Sequence, residues 1–172
     1  QVSVSFLQTK KTVTAKADST WAVYFPNQEA NAIPQTMTIV SGKEKIQFNN
    51  ILIGDIWLCI GQSNMEWPMS NEMHFAEEAP SSNRPLLRFY NPAYAGKGYY
   101  STTFTDSIVK LLHPETFYKG QWQNSDSSTF RAMSAVAYYF GKRLTTELKI
   151  PIGLINLSIG GAPLETFIDI TV

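Results

Sequence analysis

The stretch that decides the fold is Gly54-Asp55-Ile56-Trp57-Leu58-Cys59-Ile60-Gly61-Gln62-Ser63-Asn64-Met65-Glu66-Trp67. Residues 51–60 predict one buried strand, because a nearly continuous apolar run is typical of a parallel sheet that is covered on both faces. The strand ends in a small polar turn that carries Ser63, and Gly61 allows the backbone to change direction sharply there. Since a strand holds its end rigidly at the edge of a sheet, Ser63 occupies a position suited to a nucleophile.

The composition indicates a folded protein of one domain, or of one domain with a small module. The 172 residues are 44% hydrophobic and 16% charged, and 14 basic residues balance 14 acidic ones. A net charge of zero provides no field that would attract nucleic acid or an anionic membrane. The longest apolar run is too short to cross a bilayer. We therefore expect neither nucleic acid nor a membrane as a partner.

The single cysteine, Cys59, excludes an internal disulfide and any multi-cysteine metal site. Its place in the predicted strand favours a small buried hydrophobe over a reactive thiol. No pattern in the sequence indicates a metal or another cofactor. The chain starts at Gln1-Val2-Ser3 without a methionine, which suggests a mature secreted or periplasmic protein, or equally an artificial boundary.

Residues 1–50 predict a small antiparallel β-sandwich. Short segments alternate apolar and polar residues, or are β-branched and aromatic, and turn-rich pieces separate them. The predicted strands are residues 12–16, 21–25, 36–40 and 45–48. We expect this β-rich accessory module, residues 1–50, to support a second domain made of residues 51–172.

The second domain is predicted to be α/β, because strand and helix patterns alternate from residue 51 onward. Residues 86–90 and 152–157 predict two further strands, and residues 134–149 predict a helix whose first turn Ser134 can cap. The expected buried stripe of that helix is Val136, Phe140, Leu144 and Leu148. A strand, helix and strand with short links predict a right-handed parallel crossover. Residues 91–130 predict no regular element.

Two glycines follow the last predicted strand, as Ser63 follows the first. Ligands bind beyond the carboxyl ends of strands in an open parallel sheet, so Ser63 and Gly160-Gly161 can face one crevice. A serine nucleophile needs a base and needs donors for the oxyanion, which glycine N–H groups and a helix beginning at Pro163 can supply. The same patterns also occur as purely structural turns. Asp55 is interpreted as a structural carboxylate.

Residues 54–66 resemble the first catalytic block of the sialate O-acetylesterases, a branch of the SGNH hydrolases related to the acetylxylan esterases. Residues 134–141, 151–155 and 160–165 are similar to the next segments of that family, in the same order. With the β-rich module, the resemblance covers essentially the whole chain. It implies an SGNH-type α/β/α domain with a parallel sheet, here incomplete.

The resemblance implies hydrolysis of O-acetyl esters on a sugar, without a metal or a cofactor. Ser63 would attack the acetyl carbonyl, and a histidine oriented by an aspartate would act as the base. The oxyanion donors would be the backbone N–H of Ser63 and that of Gly160 or Gly161. The substrate would be contacted by Gln62, Asn64 and Glu165. Sialic acid and xylan both remain possible as the sugar.

The chain departs from the family pattern at several points. Ala162 stands where a threonine is usual and Phe167 where a tryptophan is usual, which affects packing more than chemistry. The family's Gln-Gly-Glu block and its Asp-x-x-His pair are absent. The only histidines are His74 and His113, and both are interpreted as surface or loop residues, with His74 the alternative base.

These absences lead to two hypotheses. We expect the chain to be the N-terminal portion of a longer esterase, inactive alone, whose remaining strands would cover an exposed apolar sheet edge. That remainder would be a partner of this chain, present on the same polypeptide or on another. The second hypothesis is a non-catalytic sugar-binding module that retains the fold and has lost the triad.

Overall fold

The computed structural model describes residues 1–99 and 102–168. The chain divides into two compact units, Gln1–Asp55 and a second that starts at Ile56. The functional division into an accessory module and an esterase domain stays a prediction. No described helix is long and apolar enough to cross a membrane.

The first unit contains an antiparallel sheet of four strands, as far as its described residues go. The strands are β1 (Val2–Phe6), β2 (Thr9–Val13), β3 (Asn31–Ser41) and β4 (Glu44–Ile53), in the order β2-β1-β3-β4. Side chains alternate along β1, so that Val2, Val4 and Phe6 are buried. The antiparallel arrangement agrees with the sequence prediction, whereas the sandwich is not confirmed, because these strands form one sheet.

One of the four strands predicted in this unit, at residues 21–25, is not formed. Residues 21–25 are irregular, although their aromatic and β-branched residues favour a strand. The ring of Phe25 packs edge-on against Phe6 with centroids 5.8 Å apart, so it covers the sheet without joining the ladder. The strand expected at residues 12–16 lies earlier, as Thr9–Val13, and residues 36–40 and 45–48 fall inside β3 and β4.

The second unit is a mixed α/β structure. Its strands are β5 (Asp55–Cys59), β6 (Arg84–Tyr90), β7 (Ala93–Tyr94), β8 (Tyr118–Lys119), β9 (Trp122–Ser125) and β10 (Ile152–Asn156). The main sheet has the order β5-β10-β6-β9, and β7 pairs with β8 separately. Strands β10 and β6 are parallel, which confirms the predicted parallel pairing, whereas β9 is antiparallel to β6, so the sheet is mixed and not purely parallel as predicted. The polar strand β9 lies in the region where the sequence predicted no element.

The predicted strand at residues 51–60 is divided in two. Strand β4 ends at Ile53, a bend follows at Gly54, and β5 then pairs in the other sheet. The prediction that both faces of β5 are covered is also wrong among the described residues, because the face that carries Ile56 and Leu58 is exposed. Ile56 is 64% exposed and Leu58 is 58% exposed, while Cys59 is buried.

Five α-helices are described in the second unit. They are α1 (Ser63–Glu66), α2 (Phe75–Glu78), α3 (Asp106–Val109), α4 (Ser127–Ala132) and α5 (Ala135–Leu148). The long helix α5 begins where the sequence predicts, and the Ser134 hydroxyl accepts a hydrogen bond from the Ala137 N–H at 3.2 Å. It leads directly into β10, but the link between β6 and α5 is not short as predicted, because it contains β7, α3, β8, β9 and α4.

The buried face of α5 differs from the predicted one. Val136 is 53% exposed and Leu148 is 52% exposed, so the predicted stripe is not the face that meets the sheet. The buried residues are Ala135, Ala137, Tyr138, Gly141 and Thr145. A Cβ atom on Gly141 would lie 2.8 Å from Cδ1 of Leu87 and of Leu154, so the small residues bring the helix close to the sheet. The orientation of α5 is therefore determined by the small residues that let the helix lie close to the sheet, and not by its larger apolar side chains.

The core of the second unit lies between the sheet and helices α4 and α5. Tyr138 of α5 meets Phe130 of α4 edge-on at 4.7 Å between ring centroids. The buried cluster also includes Met69, Leu87, Phe89, Met133, Ile152 and Leu154. Helix α4 holds Phe130 in place and is itself capped by Asp126, whose carboxylate accepts from the backbone N–H groups of Ser128 and Thr129.

Replacing Asp126 by alanine is expected to reduce the free energy of unfolding by about 1 kcal/mol at pH 7, because the cap of α4 is lost. The Ser128 hydroxyl and the N–H groups of Thr129 and Ser128 hold the pKa of Asp126 below its usual value. The cap is therefore fully effective at neutral pH, and its contribution is lost as the pH falls through that lowered pKa. Denaturant unfolding at pH 7 and at acid pH measures both effects.

Asp106 is the matched control for that experiment, because it lies in the first turn of α3, where no side chain caps the helix. Asp106→Ala should change the unfolding free energy by less than about 0.5 kcal/mol. Equal losses for the two variants would contradict the capping role of Asp126.

Gly141→Ala is expected to lower the free energy of unfolding although alanine favours helix. The new methyl group would overlap Leu87 and Leu154, both fully buried, and overpacking of this kind costs about 1–3 kcal/mol against a propensity gain of about 1 kcal/mol. Thr146→Ala on the exposed face of α5 gives the propensity gain without the overlap. If both substitutions were stabilising in denaturant titrations, the close approach of helix and sheet would be disproved.

Candidate active site

Ser63 is presented by a tight turn after β5. The turn needs Gly61, because its φ is +149° and a Cβ atom there would lie 3.1 Å from Cβ of Met65. The backbone then enters α1, where the Trp67 N–H donates to the Ser63 carbonyl at 3.0 Å. Ser63 is exposed, and within residues 1–99 and 102–168 its hydroxyl makes no hydrogen bond. The hydroxyl is therefore accessible from solvent.

A second loop, residues 157–163 after β10, runs beside the Ser63 turn. The Leu157 N–H donates to the Cys59 carbonyl and the Ile159 N–H donates to the Gly61 carbonyl, each at 3.0 Å. The side-chain amide of Gln62 donates to the Ala162 carbonyl. The structure thus brings the sequence-predicted residues Ser63, Gly160 and Gly161 to the same edge of the sheet. Their catalytic roles stay predictions.

Glu66 joins these two loops to a third, and the sequence had not singled it out. Its Oε2 accepts the Gly160 N–H at 2.7 Å, and its Oε1 accepts the Tyr94 hydroxyl at 3.1 Å. The ammonium group of Lys97 lies 3.4 Å from the same Oε1. The one available signal was its spacing, since residues i and i+3 of a helical turn share a face and place Glu66 beside Ser63.

A network of asparagine side chains fixes the strand ends below the site. The Asn156 amide donates to Asn91 Oδ1 at 2.9 Å, and the Ser158 hydroxyl donates to Asn156 Oδ1 at 2.7 Å. The Asn91 amide in turn donates to the Ala132 carbonyl at 2.8 Å. Asn156 and Ser158 are buried, so their polar atoms need these partners. The network links the end of β6 to the loop that carries Gly160.

The three residues predicted to contact the substrate, Gln62, Asn64 and Glu165, lie in different environments. Asn64 is exposed on α1, and Glu165 is exposed on the short 3₁₀ helix Leu164–Phe167. Gln62 uses its amide group on the Ala162 carbonyl, which makes it a link between loops. Pro163, expected at the first helical position, directly precedes that 3₁₀ helix.

Both histidines are engaged locally. His74 Nδ1 lies 3.2 Å from Oε2 of the exposed Glu77, and His113 Nδ1 accepts the Glu115 N–H at 3.4 Å. Within the described part of the chain neither histidine hydrogen-bonds Ser63. The same residues contain no group of three or more His, Cys, Asp or Glu side chains that could hold a metal ion.

Comparison with known proteins first shows that the chain is similar to a member of one class of enzymes, the esterases. The structure resembles the crystal structure of a carbohydrate acetylesterase from Xanthomonas citri with a TM-score of 0.83 and 26% identity, over 99% of this chain and 36% of that one. The two proteins therefore share a mixed α/β fold. No protein-family model matches the chain.

Sequence comparison finds relatives of a narrower group, the sialate O-acetylesterases. The chain is 27% identical to the sialate O-acetylesterase of Rattus norvegicus over 96% of its length, and 31% identical to those of Pongo abelii and Homo sapiens over 92%. The resemblance to the sialate O-acetylesterases is thus confirmed over nearly the whole chain. The chain spans only 30–31% of the length of these relatives.

The thiol of Cys59, four residues before Ser63, is expected to be unreactive in the native chain. Cys59 is 6% exposed, and burial raises its pKa, which lowers the fraction of reactive thiolate at neutral pH. Ellman's reagent should modify it only at the rate of unfolding, and immediately in guanidinium chloride. Cys59→Ser provides the blank, and rapid modification of the native chain would show that β5 opens at its end.

Proposed function

We propose that this chain carries the nucleophile half of a secreted or periplasmic carbohydrate O-acetylesterase of SGNH type. The observation that supports the proposal is the exposed Ser63 hydroxyl, at the end of a strand and beside the Gly160-Gly161 loop. The similarity to acetylesterases over nearly the whole chain supports the same reaction class. The substrate class is an O-acetylated sugar.

In the proposed reaction, Ser63 Oγ attacks the acetyl carbonyl carbon while a base takes the hydroxyl proton. The tetrahedral intermediate collapses to an acetyl-serine, and the sugar oxygen leaves after receiving that proton. Water, activated by the same base, then attacks the acetyl-serine, and acetate leaves as Ser63 recovers its proton. The base would be a histidine oriented by an aspartate, as in other serine hydrolases.

We propose that this base comes from outside the 172 residues, on the remainder of a longer esterase. His74 and His113 are both engaged with their neighbours, and the curated relatives are about three times as long as the segment they share with this chain. Without a base Ser63 stays protonated, so the isolated chain would have almost no activity. A domain completed by further chain would also cover the exposed side chains of β5.

The oxyanion donors would be the backbone N–H of Ser63 and that of one of the two glycines. Losing one such donor commonly costs about a hundredfold to a thousandfold in kcat. Asn64 on α1 and Glu165 on the 3₁₀ helix are exposed and would contact the sugar, together with the side-chain carbonyl oxygen of Gln62.

The second candidate function is a non-catalytic carbohydrate-binding module. The local pairing of both histidines favours it, since neither His74 nor His113 then serves Ser63 as a base. Such a module would bind O-acetylated sugars without forming a covalent intermediate.

Ser63→Ala in the complete natural polypeptide distinguishes the two candidates. The esterase proposal predicts that the wild type hydrolyses an acetylated sugar, and that the variant loses at least about a thousandfold in kcat. A fluorophosphonate should label the wild type stoichiometrically and leave Ser63→Ala unlabelled. The isolated 172-residue chain should be nearly inactive in the same assay.

Ser70→Ala is the matched control, because Ser70 is another exposed serine close by in sequence. It should retain full activity and labelling. Binding of an acetylated sugar with no labelling of the complete polypeptide would favour the binding module. Full activity of Ser63→Ala would refute the nucleophile assignment.

A further inference from the structure

The carboxylate of Glu66 contacts three loops of the candidate site. It lies in the segment that presents Ser63, residues 61–66 (the nucleophile turn), and it accepts the Gly160 N–H from the loop after β10. It also meets Tyr94 and Lys97 on the loop after β6, which contains the two-residue strand β7. The side chain is only 20% exposed, so these charge-assisted contacts are partly shielded from water. Lys97 also lies over the Tyr94 ring, 5.3 Å from its centroid, which orders the third loop.

The carboxylate also lies beside the nucleophile. A Cβ atom placed on Gly160 would be 2.5 Å from Glu66 Oε2 and 3.8 Å from Ser63 Oγ. Glu66 and Ser63 therefore face the same side of Gly160. An ester whose carbonyl carbon is attacked by Ser63 would develop its negative charge in this region.

A negative oxygen on the Gly160 N–H conflicts with an oxyanion at the same donor. One N–H cannot serve two acceptors at full strength, and two negative oxygens held that close repel each other. By contrast, within the described ranges the N–H groups of Ser63 and Gly161 have no hydrogen-bond acceptor. These two N–H groups can therefore donate to an oxyanion, whereas the Gly160 N–H already donates to Glu66.

We propose that Glu66 is a positioning residue of the esterase site, an inference that depends on the function proposed above. Its carboxylate holds the nucleophile turn against the other two loops and reserves the Gly160 N–H for that purpose. The oxyanion donors are then the N–H groups of Ser63 and Gly161. Glu66 itself does not contact the reacting atoms.

Glu66→Ala in the complete polypeptide should lower kcat roughly tenfold to a hundredfold with little change in KM, because small displacements of catalytic groups have effects of this size. Glu66→Gln should retain most of the activity, since its amide oxygen can still accept the Gly160 N–H. Added formate should partly restore Glu66→Ala by supplying a carboxylate to the vacated donors. Glu147→Ala, an exposed glutamate of α5, should behave as the wild type.

A double-mutant cycle with Gly160→Ala tests the contact itself. The added methyl group would displace the Glu66 carboxylate, so Gly160→Ala and Glu66→Ala should cause similar losses. The double variant should be no worse than the weaker single variant. Additive losses, or full activity of Glu66→Ala, would overturn the proposal.

A spectroscopic measurement on the 172-residue chain keeps this test separate from the esterase assay. The Gly160 amide proton should resonate downfield in the wild type and move upfield in Glu66→Ala, while Glu147→Ala leaves it unchanged. If the complete wild-type polypeptide shows no esterase activity, the proposed function fails and the oxyanion assignment fails with it, whatever the amide resonance shows. An unchanged Gly160 resonance in Glu66→Ala in an active enzyme would overturn the positioning role alone.

Discussion

Two backbone hydrogen bonds hold the candidate site together. Leu157 and Ile159, which follow the end of β10, donate to the carbonyl groups of Cys59, the last residue of β5, and of Gly61. Because residue numbers rise together along both segments, the two chains leave the sheet side by side in the same direction. This pairing brings the Ser63 turn and the glycine loop together, and it allows Glu66 to reach the Gly160 N–H. The chemistry proposed for the site thus depends on main-chain geometry first.

The pairing is supported from beneath by packing and by buried polar contacts. Gly141 brings α5 close to Leu87 and Leu154, which fixes β6 and β10 against one helix. Asn156, at the end of β10, bonds to Asn91 just past the end of β6. The site is therefore placed on rigid strand ends, as a preorganised site requires, although its own residues lie in the loops and short helices that follow the strands.

The order of the helices and strands could be predicted from the sequence better than which side chains they bury and which residues they contact. Helix α5, the strands around it and the neighbourhood of Ser63 and Gly160 follow from apolar runs, a serine cap and glycine turns. The buried face of α5 could not be predicted in this way. The periodic pattern is based on large apolar side chains, whereas a helix that lies close to a sheet needs small side chains at the contact. The prediction of a strand at residues 21–25 was wrong, because aromatic residues can also be buried by packing over a sheet without joining it. Glu66 was missed because its partners, Tyr94 and Gly160, are distant in sequence and only the fold brings them near.

That distance also determines when the site can form. Gln62 and Ala162, joined by a side-chain hydrogen bond, are 100 residues apart, and Glu66 and Gly160 are 94 apart. Contacts of such long range require a large loop to be closed, so they form slowly compared with local turns and helices. Strand β5 adds to the sheet only through β10, which is the last strand along the described chain. During synthesis the nucleophile turn therefore leaves the ribosome well before its partners, because Glu66 precedes Gly160 by 94 residues and the turn is joined to the sheet only after β10 has been made.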